Sequence, residues 1–374
     1  MHDLVIKGGR VIDPAQGIDG NTDLAFSEGR VSAMGANLSG QKIIDATDRI
    51  VTPGLIDLHT HVYWGGTSLG VDPVDYARQS AVTTAVDTGS AGPGNFAGFR
   101  KHVIEPCPVR ILAYLHVSHA GIFGFSDTVH VGESEDIRLM DPIAAASVAD
   151  ANRDVVVGIK VRLGRHASGM QGMSPFEFAV QVADATGLPM MVHIDEPPPG
   201  YAEVVERLRP GDVLTHCFRP FPNTPLIGDA IRPEVVAARD RGVIFDIGHG
   251  MGSFSYDVAR RMLAAGFAPD TISSDVHALC INGPAFDLIT TMNKFLSLGM
   301  SLPEIVTATT TAPARAVNRP DLGTLKIGSV GDASILRMGP GTGVLTDATG
   351  QDLQPTTCLS VTSVVLNGAE FAPE

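Results

Sequence analysis

Six side chains of metal-ligating type recur along this chain: His59, His61, Lys160, His193, His216 and Asp275. Each lies in or at the end of a short β-rich run. Residues 54–61 read Gly-Leu-Ile-Asp-Leu-His-Thr-His, an apolar run that closes on H-x-H. Side chains two apart on a strand share a face, so one strand aims both imidazoles at one point. Lys160 is embedded in Val-Val-Val-Gly-Ile-Lys-Val-Arg, His193 closes Pro-Met-Met-Val-His, His216 closes Val-Leu-Thr-His, and Asp275 closes Thr-Ile-Ser-Ser-Asp. Chemistry delivered by the ends of several strands is the pattern of a (β/α)8 barrel, which takes roughly 30 residues per βα unit. Lys160 to His193 spans one such unit, and His193 to His216 one short unit. His216 to Asp275 spans two, with room for a strand at 242–248. His59 to Lys160 spans three, with strand candidates at 82–87 and 110–117. The six residues then fall on strands one, four, five, six and eight of an α/β, TIM-type barrel.

The two ends of the chain have a different texture. Before residue 50, short β patterns such as Leu4-Val-Ile-Lys and Lys42-Ile-Ile-Asp alternate with Gly8-Gly9, Asp19-Gly20 and Glu28-Gly29, which is hairpin chemistry. The tail repeats it at 333–338 and 359–366. This predicts one small β-sandwich domain built from both termini, residues 1–52 and 320–374, around a barrel at 53–319. Helical patterns lie between strands at 174–183, with Ser174 as cap and Pro175 in the first turn, and at 233–239 and 256–263. The Gly-rich stretch after Pro340 reads as a surface loop of the small domain.

A net charge of −14 argues against nucleic acid or an anionic membrane as partner. No apolar run approaches the roughly 20 residues of a membrane span, and the N-terminus offers no signal-peptide core. A cytoplasmic location is expected, and a homo-oligomer is compatible with the sequence. The four cysteines form no C-x-x-C pair, so no zinc knuckle or disulfide framework is indicated. Residues 66–70, Gly-Thr-Ser-Leu-Gly, match the serine-hydrolase elbow but follow H-x-H in a loop instead of joining a strand to a helix. His2, His102, His130 and His166 read as surface residues, and His116 and His119 follow the third strand candidate.

The six-residue order resembles the amidohydrolase superfamily: H-x-H on strand one, Lys on four, His on five and six, Asp on eight. The Val-Thr-Pro-Gly entry at 51–54, Ala-Pro-Ala-Arg-Ala at 312–316 and Leu-Gly-Thr-Leu-Lys-Ile-Gly-Ser-Val-Gly-Asp-Ala at 322–333 add to it. Within the superfamily, Gly-Ile-Lys-Val-Arg at 158–162 and Phe-Asp-Ile-Gly-His-Gly at 245–250 are most similar to the amidohydrolase/deacetylase group, whose members deacylate N-acetyl-D-amino acids and acetylated α-hydroxy acids. Dihydroorotases carry H-x-H-x-R, the Arg holding the substrate carboxylate. Here His61 is followed by Val-Tyr-Trp-Gly, which counts against that activity.

The resemblance implies two divalent ions, best matched to Zn2+ by the imidazole and carboxylate donors. His59, His61 and Asp275 would hold the buried ion, and His193 and His216 the more exposed one. Lys160 would bridge them as a carbamate, because an ammonium has no lone pair to donate. Asp275 would also shuttle the proton. The expected substrate is a small acylated acid, with Arg162 best placed by strand parity to hold its carboxylate. His249 and His277 are further candidates at strand ends, and Tyr63 and Trp64 are candidate pocket walls. The competing readings are a cyclic amidase of dihydroorotase or hydantoinase type, and a scaffold that has lost its metals.

Overall fold

The structure is a computed structural model and describes residues 1–371. Seven parallel strands hydrogen-bond in chain order: Leu55–Thr60, Val82–Thr88, Arg110–His116, Val156–Leu163, Met190–Ile194, Val213–Leu214 and Ile244–Phe245. Segment 271–276 takes the eighth place through single parallel bridges, Thr271 to Asp246 on one side and Val276 to Thr60 on the other. The His61 N–H donates to the Val276 carbonyl at 2.9 Å, which closes the ring onto the first strand.

The strand expected at 242–248 shortens to Ile244–Phe245, and the eighth lacks a regular ladder. The backbone explains both. Gly248, Gly250 and Asp275 take φ of +46°, +52° and +48°, outside the β region, so the chain turns over the barrel mouth instead of extending. Side chains replace the missing ladder bonds: the buried Asp246 carboxylate accepts from Thr215 Oγ1 at 2.8 Å, Thr271 Oγ1 at 2.7 Å and Ser273 Oγ at 2.8 Å.

Helices pack outside the sheet, several with proline at the first or second position. Pro73–Ser80 is capped by Asp72, whose carboxylate accepts from the Val74 N–H at 2.8 Å. Ser174 is not the cap expected of it. The helix runs Ser174–Thr186 with Met173 at the cap, because the Met173 carbonyl already accepts from the Glu177 N–H. Gly187, at φ +69°, ends this helix left-handed.

Strands from both ends of the chain face each other in the small domain. His2–Lys7, Asp23–Ser27, Arg30–Gly35 and Gly40–Asp45 form one sheet. The other holds Arg10–Asp13, Ile18–Asn21, Ile50–Pro53, Ala333–Pro340, Thr357–Leu366 and Ala369–Glu370. Leu4, Ile6, Phe26, Val51, Ile335 and Val365 fill the space between them. Asp13 joins the two ends, accepting from the Leu325 N–H at 2.6 Å and from Thr324 Oγ1 at 3.1 Å. Residues 341–343 belong to no strand or helix and are largely exposed, as a surface loop should be. Beyond them a hairpin, Leu345–Thr346 with Asp352–Leu353, docks on the barrel: Tyr256 Oη donates to the Leu345 carbonyl and its N–H to Asp347. Among the described residues no helix is long and apolar enough to cross a membrane.

Candidate active site

His59 and His61 line the cavity at the barrel mouth from the end of the first strand and its exit, where the ladder to the second strand shifts register between Asp57 and Thr60, and the Asp57 side chain is held by Tyr76 of the helix Pro73–Ser80. His59 Nε2 and His61 Nε2 both approach Asp275 Oδ1, at 3.1 and 3.2 Å, and the three residues form a buried cluster of metal-ligand type. His216 packs beside His59 with ring centres 5.2 Å apart, and its Nε2 meets His193 Nδ1 at 2.6 Å. Lys160 Nζ lies 3.5 Å from His59 Nε2. All six expected ligand side chains thus converge at one point. His216 and Asp275 reach it with left-handed backbone, φ +64° and +48°, the kind of local strain that functional sites hold.

Hydrogen bonds behind the imidazoles decide which nitrogen faces inward. Thr215 gives its one hydroxyl proton to Asp246, so it must accept from His59 Nδ1 at 2.8 Å, leaving His59 Nε2 with a bare lone pair. His216 Nδ1 faces the Gly248 carbonyl at 2.7 Å and must be the donor, which leaves its Nε2 bare as well. His61 Nδ1 pairs with Ser90 Oγ at 2.9 Å. With His59 Nε2, His216 Nε2 and Asp275 Oδ1 presented inward, this donor set fits divalent ions bound by imidazole and carboxylate. Asp57 steadies Asp275 from behind: it accepts from the Ser274 N–H at 3.0 Å and from the Tyr76 and Ser274 hydroxyls.

Burial dominates the electrostatics. It draws Lys160 down to about 7, against the pull of Asp275, so a neutral amine is accessible near neutral pH. It draws His61 down to about 3 and His277 to about 4, which keeps both imidazoles neutral. It lifts Asp275 to about 6, with His277 and Lys160 opposing.

A cavity of about 360 Å3 opens above the cluster, and Arg162 and His277 line it. His277 Nδ1 accepts from the Leu279 N–H at 3.2 Å, so its Nε2 carries the proton. Three expected contacts are placed elsewhere. His249 is turned away from the cavity, its Nε2 held by Lys294 Nζ at 2.7 Å. Tyr63 stacks on Phe99 with ring centres 4.6 Å apart, and Trp64 is 57% exposed, because the turn at 63–67 folds the first loop outward. His130 and His166 are exposed, as expected of surface residues, and also line the cavity, His130 stacked on Phe125. Glu133 and Arg219 were not singled out in the sequence. Glu133 comes from a long loop without periodicity. Arg219 stands three residues after His216, the only signal that marked it.

No family model matches the chain. Deacetylases of Brucella anthropi and Enterococcus faecalis are 36% and 32% identical to it, over 85% and 93% of this chain and 79% and 93% of theirs. The chain belongs to the amidohydrolase superfamily. Two solved structures share this amidohydrolase's fold over nearly the full length of both chains: one described as an adenine deaminase (TM-score 0.92, 30% identity, covering 100% of each chain), the other as a dihydroorotase (TM-score 0.91, 32% identity, 99% and 98%). The names of these relatives differ because a shared barrel does not by itself choose a substrate. What they have in common places this chain among the hydrolases.

Proposed function

We propose that this amidohydrolase is a binuclear metal-dependent deacylase. It hydrolyses the acyl group of an N-acyl amino acid, the D-enantiomer preferred, or of an O-acetyl α-hydroxy acid. The observation that carries the reading is the convergence of His59, His61, Asp275, His193, His216 and Lys160 on the floor of a cavity walled by arginine. Similarity to the deacetylases supports the acyl chemistry.

His59, His61 and Asp275 would hold one ion and His193 and His216 the second, with a carbamate on Lys160 as a further ligand and zinc the best match to the donors. Such a pair of ions supplies Lewis acidity at the acyl carbonyl and a readily deprotonated water. The chain's own groups do the rest. Asp275 accepts the proton of the attacking water and delivers it to the nitrogen or oxygen that leaves when its bond to the acyl carbon breaks. Thr215, Ser90 and the Gly248 carbonyl hold the imidazoles in orientation, and the proton on His277 Nε2 is available to a substrate oxygen. The positive wall suits a carboxylate even on a chain of net charge −14, because the local field governs a pocket.

A cyclic amidase is the second reading, favoured by the likeness to the structure described as a dihydroorotase. The absent arginine after H-x-H weighs against it. A screen of N-acetyl-L-, N-acetyl-D- and O-acetyl-hydroxy acids together with dihydroorotate, on zinc-loaded protein, tests both. Turnover of dihydroorotate with none of any acylated acid overturns the deacylase reading. Elemental analysis should approach two ions per chain, and active protein free of metal would refute the mechanism.

A further inference from the structure

The cavity's two arginines are in opposite situations. Arg162 is balanced from within: its Nη1 lies 3.5 Å from Glu133 Oε2, and its guanidinium sits 5.2 Å from the Phe125 ring centre. Glu133 is in turn 3.2 Å from His116 Nε2, a close charge contact although neither atom makes a formed hydrogen bond.

Arg219 has no such partner. It is 6% exposed, yet its Nε and Nη1 find no hydrogen-bond acceptor, and it makes no ion pair among the described residues. Asp195, the carboxylate that acts on it most strongly, is committed elsewhere. Asp195 accepts from the His166 and Ala167 N–H groups at 3.1 and 3.2 Å and faces His193 Nε2 at 3.5 Å. The Tyr201 hydroxyl, near enough to feel the Arg219 charge, is also without a partner. A buried guanidinium with idle donors is costly unless an anion completes it. Arg219 is also well placed: its N–H donates to the His216 carbonyl at 3.1 Å, and its side chain lines the same cavity as the ligand cluster.

We propose that Arg219, and not Arg162, anchors the substrate carboxylate, holding the acyl group over the His59–His61–Asp275 cluster. This rests on the acylated-acid reading above and names the residue that selects an acid. Arg162 then serves to hold Glu133 and shape the wall.

The test compares R219M, R219K and R162M, each checked for metal content, on acetylated acids and their methyl esters. R219M should lose kcat/KM for acids by at least about 30-fold more than for esters, the lower range for removing a buried charged partner. The loss should fall mainly in KM, with partial recovery in R219K. R162M should lower acids and esters alike. Calorimetry with benzoate on the metal-loaded protein gives a readout independent of turnover: R219M should weaken binding at least about 10-fold, and R162M much less. Equal losses on acids and esters in R219M, or unchanged benzoate binding, overturn the proposal. Benzoate binding that depends on Arg219 in a protein that deacylates no acid would uphold the anion site and overturn the deacylase reading instead.

Discussion

Asp275 joins three constraints in one residue: a left-handed backbone, contact with both His59 and His61, and a buried carboxylate raised to about 6. Asp275→Asn should lower turnover by roughly 10²–10⁴, the range for loss of a positioned proton-transfer group, and single-turnover kinetics would measure it. Near-normal turnover would assign the proton to another group. Gly250 bears on the same carboxylate, since a Cβ there would fall 2.3 Å from Asp275 Oδ2 at a φ of +52°. Gly250→Ala should therefore depress turnover and metal content together, and retention of both would show that Asp275 has room to move. Lys160→Ala should lose metal and activity, with partial rescue by short carboxylic acids that stand in for the carbamate. An unmodified amine in a crystal structure of metal-loaded, active protein would refute the carbamate.

Elements meet the site through a few buried polar ties. The helix Leu288–Ser297 contributes Lys294, whose ammonium donates at 2.7 Å to His249 Nε2, to the Pro284 carbonyl and to the Thr346 carbonyl. One side chain thereby joins the barrel's seventh strand end, the loop after the eighth and the C-terminal hairpin. Lys294→Met would leave a buried imidazole nitrogen and two partly buried carbonyls without a donor. The expected cost is about 1–3 kcal/mol, the range for leaving a buried acceptor unsatisfied, read as a lower urea midpoint at constant m-value. A change below about 1 kcal/mol would mean that water replaces the ammonium at little cost.

The molecule as a whole carries buried carboxylates that resist ionisation. Burial lifts Asp57 to about 7 and Asp246 to about 6, against donated hydrogen bonds. Both folded values lie above the unfolded value near 3.9. On these two groups alone the folded chain retains protons that the unfolded chain releases, and their contribution falls as pH rises from about 4 through 6 to 7. The buried imidazoles act the other way: His61 and His277, at about 3 and 4, and His59, His193, His216 and His249, all lowered by burial, stay neutral in the folded chain while the unfolded chain protonates its histidines below about 6.5. These imidazoles outnumber Asp57, Asp246 and Asp275, so metal-stripped protein should show a urea midpoint that rises from about pH 5 to about 6.5. Metal-loaded protein should lie above it, because the ions bind only the folded state and bind more tightly as their ligands deprotonate. A midpoint that falls over this range after chelation would contradict this.

The strand-end series from His59 to Asp275 and the hairpin texture at both termini were legible in the sequence, because alternation and unit spacing are local and periodic. They pointed to the barrel, the β-sandwich and the six converging side chains. Periodicity could not show where the strands end. Gly248, Gly250 and Asp275 leave the β region to serve the barrel mouth, and that choice is made by contacts across the ring. Parity put Arg162 on the right face, but its balance by Glu133 comes from a loop with no repeating pattern. His249 and Trp64 were misplaced for the same reason, since a strand-end position says nothing about which neighbour captures a side chain. The idle guanidinium of Arg219 is visible only once its burial and the commitments of Asp195 are known, and those are properties of the packed molecule.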